Sequence, residues 1–516
     1  MKISVYFSPG ILTEVIIDPP HEVTFIAENY LQCNDKIFNN YLKRFVLKKV
    51  PIFDFMDPLT GIVTIPSGLV KWLLIELIQD GVICKSDLEI FDVRCEFDGF
   101  CLSDIDNKLF IQLYNEKKKS FVQLRQYQSD GIKSLLSSIQ GILCFPTSSG
   151  KGEIIVAISK ILQNYGQVLV LVPSMSSLHS TKERFDDYGI KNYTYHKVRS
   201  LESLDGVIIS TPKIIHNDLE RCSENSILKS VKYLLTNEVH HVQAKTWFEV
   251  SKNLPSVVRS YGFSATPDIV TGDSISSLQF LSIREAMIIG THGNIAMEVK
   301  SCDIKKYIEV PECLDVVFSP DYVPEQDKLN YDWLYMRQYL NFPVRLKFIS
   351  DLVHIIHNTT NFTTITFVSY IETQGNPLLE LYPEGTVCWF GGGNVINNVH
   401  LDLNKDNVFD AIKHRHVRHT IVTSHAREDI NLPVLNVAIL LELANKKSVK
   451  QCVGRVVRKG SPSYFVNIFD TSPKVLEMQA RKRSKVISSE YGTTSMKINS
   501  LQNFMNYFSN IENCEK

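Results

Sequence analysis

The sequence predicts an α/β protein, with two parallel-sheet domains in tandem behind a small α+β N-terminal module. Three observations carry that expectation. The first is two series of short apolar runs separated by helical stretches. GILCF, QVLVLVP, GVIIST, VKYLLTN and YGFSATP form one, and beyond about residue 300 TTITFVSY, GTVCWFGG, HTIVTSH, VLNVAILLE and YFVNIFD form the other. Strands covered on both faces lose the alternation of polar and apolar residues, as in parallel sheets flanked by helices. The second is length, because 516 residues exceed what one hydrophobic core fills. The third is the contrasting start: residues 1–112 show strand-like alternation at Ile3, Val5 and Phe7, a basic stretch YLKRFVLKKV at 41–50, and one helical segment from Gly68 to Gln79 behind a Ser67 cap.

These patterns place a small α+β module at 1–112, a first α/β domain at 113–300 and a second at 301–516, where Val344 to His357 reads as a helix. The stretch 303–343 is irregular and receives no element.

Charge is nearly balanced, with 55 Lys plus Arg against 56 Asp plus Glu. That excludes a polycationic arm or an acidic tail but not a nucleic-acid partner, since binding depends on where charges sit. Residues 1–112 carry a net −6, residues 411–516 a net +9 and the middle −4, so the neutral total hides a polar chain. The 11 Cys are scattered without a Cys-x-x-Cys pair and read as reduced thiols of a cytosolic protein. No apolar stretch approaches 18 uncharged residues, and Pro9-Gly10 interrupts the N-terminal run. The expectation is a soluble cytoplasmic monomer with no membrane partner.

The strongest chemical signal is FPTSSGKGEIIVAISKIL at 145–162. A strand enters a Ser/Gly turn (Thr147, Ser148, Ser149, Gly150), then Lys151, Gly152 and Glu153 open a helix. Backbone N–H groups and the positive helix end can cradle phosphates there, and the Lys151 ammonium can reach the terminal oxygens. Eighty-seven residues on, VKYLLTNEVHH puts Asn237, Glu238 and His240 at a strand end, where a carboxylate can polarise attacking water. YGFSATP adds Ser264 and Thr266, small hydroxyl residues suited to transmitting the state of the site. QCVGRVVRKG, with Gln451, sets Arg455 and Arg458 three apart on a helix, as arginine fingers reaching a γ-phosphate.

This order of motifs, over about residues 120–470, resembles superfamily-two helicases. The resemblance implies two RecA-like domains closing on ATP and Mg²⁺. It also implies an adenine-reading segment LRQYQ with Arg125 and Gln128, nucleic-acid contacts at Pro173, Thr211 and Thr423, and a metal shell around Glu238 and, through water, Asn237. The N-terminal order of a Phe-rich basic stretch, Gly61 and IPSGLVKWLLIELIQDGVICK, ahead of LRQYQ and PTSSGK, is similar to phage UvsW-type branch-migration helicases. That likeness implies a DNA-binding module, with Lys43, Arg44, Lys48 and Lys49 interleaved with Tyr41 and Phe45. The expected activity is an ATP-dependent helicase or translocase on branched DNA. The alternatives are an RNA helicase, a duplex translocase that does not unwind, and a degenerate motor serving as a DNA-binding scaffold.

Two departures from the family pattern fall on the metal. Gly152 replaces the Ser or Thr whose hydroxyl ligates Mg²⁺, and Asn237 replaces Asp. Gly152 leaves room for a water, and Asn237 keeps an amide oxygen, so a raised Mg²⁺ requirement is expected. Asp429 and Asn431 stand where Gly and Asp are usual, and Phe145 where a small residue is usual. The run KHRHVRH at 413–419 reads as a solvated edge. ARKRSK at 480–485, with Arg481 and Arg483, lies on an expected helix and reads as a DNA-tracking face, against the default of a solvated face for a charge run.

Overall fold

The structure is a computed structural model. It describes the whole chain except residues 40–43, 101–111, 222–225, 268, 270–277, 309, 320–341, 383–385, 390–394, 398–407, 424–434, 442–445, 458–461, 473 and 516. Contacts divide the chain into two compact units: Met1–Phe145 with Gly150–Val299, and Pro146–Ser149 with Lys300–Lys516.

In the first unit, the N-terminal residues supply β1 (Lys2–Phe7), β2 (Leu12–Asp18), β3 (Gln32–Asn39), β4 (Arg44–Pro51), β5 (Phe55–Asp57), β6 (Ile62–Pro66) and β7 (Leu88–Asp92). Five form a sheet in the order β5-β6-β2-β1-β7, antiparallel except at β1–β7, while β3 and β4 form a separate ribbon. Alternate residues Ile3, Val5, Val15, Ile17, Val63 and Ile65 face a core shared with Leu73 and Leu77 of the helix Val70–Gln79. The same core takes in Leu278, Leu281, Ala286 and Ile289, so the α+β module is not packed by itself. Ser67 does not cap that helix as expected. It lies in a preceding 3₁₀ turn, Ser67–Leu69, with its hydroxyl 2.7 Å from Thr13 Oγ1, because the buried strand neighbour competes for the side chain.

A hairpin of β8 (Gln112–Asn115) and β9 (Ser120–Gln123) leads into a seven-stranded sheet. Its strands are β10 (Gln140–Cys144), β11 (Gln167–Leu171), β12 (Asn192–Thr194), β13 (Val207–Ser210), β14 (Val231–Asn237), β15 (Arg259–Ser264) and β16 (Ile295–Glu298). The order is β12-β13-β11-β14-β15-β10-β16 and every pair is parallel. β11, β13 and β15 are buried at every residue, which is why strict polar–apolar alternation is missing from their sequences.

The second unit has β17 (Glu312–Phe318), β18 (Thr364–Val368), β19 (Thr386–Trp389), β20 (Val395–Asn397), β21 (His419–Thr423), β22 (Val437–Leu440), β23 (Tyr464–Asp470) and β24 (Met496–Ile498). They form one sheet in the order β20-β19-β21-β18-β22-β23-β17-β24, parallel except at β19–β20. The unassigned stretch 303–343 therefore supplies a core strand, β17. The expected helix at 344–357 runs Pro343–Thr359, with proline in its first turn, and shares a core with Phe504 and Phe508 of the helix Leu501–Glu515. The two sheets, each flanked by helices, are tandem RecA-like domains.

Two basic runs depart from their expectations. KHRHVRH is a solvated edge only in part: His419 is fully buried, Nε2 3.2 Å from Thr366 Oγ1, and Arg418 Nη1 donates to His357 O at 3.1 Å. In the helix Lys474–Tyr491, Arg481 is exposed and pairs with Glu477, whereas Arg483 is 2% exposed. Arg483 Nε donates to Asn467 Oδ1 at 2.6 Å and Nη2 to Ile468 O at 2.8 Å, and burial pushes its pKa down to about 10. The expectation that it faces nucleic acid is corrected: its donors are spent inside the unit.

Candidate functional site

In the first unit the sequence-predicted residues gather at the C-terminal ends of three neighbouring strands, β14, β15 and β10. Registers pair Asn237 with Phe263 and Cys144 with Ser264, so the loops after all three strands emerge together. Open α/β sheets bind ligands at this edge.

After β10 the chain turns sharply. Ser148 has φ 63° and Gly150 φ 83°, and the helix Lys151–Leu162 follows at once. A left-handed Gly150 suits the abrupt entry, and a Cβ there would lie 2.3 Å from Gln128 Nε2. Lys151 Nζ donates to Phe145 O at 3.0 Å, folding the ammonium back over the turn. Gln128 is buried, accepts from Arg125 N at 2.8 Å and donates to Gly150 O at 3.3 Å, which ties the LRQYQ segment to the turn. Phe145 fits because Gly131 makes room: a Cβ on that glycine would lie 2.8 Å from the ring's Cζ.

After β14, Glu238 adopts φ 58° and starts a 3₁₀ turn that carries His240. Ser264 Oγ, at the end of β15, donates to Glu238 Oε2 at 3.3 Å, accepts from Thr266 N at 3.0 Å and lies 2.9 Å from His240 Nδ1. His240 and Ser264 are fully buried, while Glu238 keeps an open side, so the carboxylate is held from behind and free to act in front.

The donor set does not fit a protein-held Mg²⁺. Asn237 brings an amide in place of a carboxylate, and Gly152 brings no oxygen. The room expected for a water at Gly152 is filled: a Cβ built there would lie 1.4 Å from Arg184 Nη1. Arg184 gave no signal in the sequence, because it sits in a polar helix, Met175–Asp187, far from any motif. Among the described residues, no group of three His, Cys, Asp or Glu side chains could hold a metal.

The remaining residues are placed as follows. Pro173 lies two residues past the end of β11 and Thr211 directly follows β13, at the same edge of the first sheet. In the second unit, Thr423 ends β21 and Gln451 is buried in the helix Lys446–Val453. Arg455 is not on that helix, which stops at Val453; Gly454–Val456 continue as tighter turns, with Arg455 N bonded to Cys452 O. Lys48 and Lys49 are exposed on β4, which also includes Arg44. Arg458, Lys43, Asp429 and Asn431 lie outside the described residues.

Fold and ordered motifs define the class: a pair of tandem RecA-like domains resembling superfamily-two helicases. Residues 121–269 match the family described as Type III restriction enzyme, res subunit. The chain is 26% identical over 155 residues to the DNA 3'-5' translocase XPB2 of Sulfurisphaera tokodaii, a match spanning 29% of this chain and 32% of that one. The match thus covers about a third of that relative. Among solved structures, S. cerevisiae Dbp5 bound to RNA and ADP BeF3 aligns with a TM-score of 0.52 at 13% identity, over 76% of this chain and 98% of that one. T4 UvsW aligns over 97% of this chain and 100% of that one, with a TM-score of 0.43 at 14% identity. No helix among the described residues is long and apolar enough to cross a membrane.

Proposed function

We propose that the chain is an ATP-driven DNA helicase or translocase acting on branched DNA. The observation that carries the reading is the convergence of the Lys151 turn, Glu238 and Ser264 on adjacent strand ends. Lys151 would leave Phe145 O for the β and γ phosphates. Glu238 would orient and polarise the attacking water, and Ser264 and Thr266 would pass the state of the γ-phosphate to the sheet edge. Gln128, already buttressing Gly150, would report an adenine above it. Arg455 and Arg458 would stabilise charge on the γ-phosphate when the domains close.

Nucleic-acid contacts are assigned to Pro173, Thr211 and Thr423, with Lys48, Lys49, Lys43 and Arg44 as the module's contribution. Backbone phosphates would dominate, making affinity independent of sequence and steeply salt-dependent. The DNA preference is supported by the partial likeness to a DNA translocase, and branched DNA by the resemblance of the N-terminal sequence to phage branch-migration helicases. The test is ATPase stimulation across fork, four-way junction, duplex and RNA. Forks and junctions are expected to stimulate most, with Lys151→Ala and Glu238→Gln abolishing turnover. Stimulation by RNA alone overturns the DNA assignment, and turnover in both variants overturns the site.

A further inference from the structure

Gly152 and Arg184 together suggest how this site manages without the usual metal ligands. At Gly152, Arg184 Nη1, Cζ and Nε lie 1.4, 2.5 and 3.0 Å from where a Cβ would stand. A guanidinium therefore occupies the place of the missing hydroxyl side chain, next in sequence to Lys151. Its described partner is Glu153, with Nε 3.6 Å from Oε1, and both side chains are about a third exposed.

The charges change in one direction. In phosphate-loop enzymes a hydroxyl and an aspartate hold a dication against the triphosphate. In this chain the aspartate is neutral Asn237, which removes a negative charge, and Arg184 adds a positive one. The side-chain charge on the metal side is thus more positive by one while Arg184 pairs with Glu153, and by two once that pair opens. A guanidinium is suited to the role, since its fork of N–H donors matches phosphate oxygens and stays charged at any working pH.

We propose that Arg184 is a phosphate-binding residue of the nucleotide site, replacing the hydroxyl side of the metal shell, so that nucleotide binding depends only weakly on divalent metal. Glu153 is its resting counter-ion and gives it up when a triphosphate arrives. The assignment rests on the phosphate-binding reading of the Lys151 turn. A purely structural Arg184–Glu153 pair, clasping two helices, would affect stability and leave phosphate affinity alone.

The experiment measures binding of ATP to the full chain by calorimetry, in EDTA and in Mg²⁺. Wild type should bind within about threefold under the two conditions, and Arg184→Ala should lose about tenfold or more in EDTA, the scale of a charge-assisted hydrogen bond. Arg184→Lys should recover part of the loss. A triple variant, Gly152→Ser with Asn237→Asp and Arg184→Ala, should bind well only with Mg²⁺; the arginine is removed because serine's Cβ would collide with it. Thermal melting of each variant separates misfolding from lost affinity. Wild-type binding that needs Mg²⁺, or Arg184→Ala binding like wild type in EDTA, overturns the proposal. Lys151→Ala distinguishes the two layers: if it binds as wild type does, or wild type binds under neither condition, the phosphate-site reading falls as well. If Lys151→Ala alone abolishes binding while Arg184→Ala changes nothing, only the Arg184 assignment falls.

Discussion

Ser264 Oγ donates to Glu238 Oε2 at 3.3 Å, and this bond joins the end of β15 to the end of β14. With its one proton committed, the hydroxyl accepts from Thr266 N and faces His240 Nδ1 with its remaining lone pair. A single buried oxygen thus fixes the carboxylate and the loop that follows β15. A shift of Glu238 would pull on the hydroxyl that also accepts from Thr266 N, and the proposed coupling would run through that oxygen.

Ser264→Ala should therefore uncouple more than it disables. Lys151 and Glu238 remain, so ATP turnover should fall by less than about tenfold, while strand separation per ATP falls further. Loss of a partner for buried His240 and Thr266 N should also cost about 1–3 kcal/mol of stability. Parallel ATPase and unwinding assays check this. Equal losses in both would mean that the hydroxyl serves only the chemistry.

A second relationship ties the N-terminal module to the first sheet. Arg259 Nε donates to Asp98 Oδ2 at 2.5 Å, Nη1 donates to Leu136 O at 2.8 Å, and the guanidinium lies over the Phe100 ring at 4.7 Å. Both charged side chains are nearly buried, at 9% and 3% residue exposure. Asp98→Ala should destabilise the first unit by about 3–5 kcal/mol, because it strands a desolvated guanidinium. Asp98→Asn should cost less, keeping one acceptor. Urea unfolding resolves the difference, and an unchanged midpoint for Asp98→Ala would contradict the role of the pair.

Much of the fold was legible because buried parallel strands advertise themselves: all ten apolar runs became sheet strands, and the motifs are contiguous. What escaped was tertiary. Gly152 was visible as a departure, but nothing local to residue 184 says that its side chain returns to Gly152. Ser67 reads as a cap until Thr13, 54 residues away, takes its hydroxyl. Arg483 did have a signal. It follows Leu476 and Ala480 and precedes Ile487 at helical spacing, and those three are buried, so it sits on the apolar stripe of its helix. The charge run hid a periodicity that was there to be read.

That periodicity separates two arginines otherwise grouped as one basic face. Arg483→Ala should cost about 3 kcal/mol or more by orphaning Asn467 Oδ1 and Ile468 O and opening a cavity. Arg481→Glu should leave stability within about 1 kcal/mol, since it disturbs an exposed pair with Glu477 and a 5.6 Å contact over the Phe469 ring. Denaturant melts of both variants suffice, and a DNA-affinity change confined to Arg481→Glu would keep that side chain as a nucleic-acid contact. If Arg483→Ala melts like wild type, the buried assignment is wrong.

Acid should weaken the first unit through His292. Its ring is fully buried with Nδ1 2.7 Å from Ser260 Oγ, and burial pushes its pKa down to about 3. Below the unfolded value of about 6.5 the unfolded chain takes up a proton that the folded chain refuses, so stability falls as pH drops through the interval from 6.5 to 3. At about 1.4 kcal/mol per pH unit, the loss attributable to this ring is about 2 kcal/mol at pH 5. His292→Gln cannot titrate and keeps a hydrogen-bonding group near Ser260, so it should start less stable at pH 7.5 and lose about 2 kcal/mol less than wild type on going to pH 5. Urea unfolding of the two proteins at the two pH values measures the double difference directly. A double difference of zero would mean that the folded ring takes up its proton at the same pH as the unfolded one, in conflict with its enclosure.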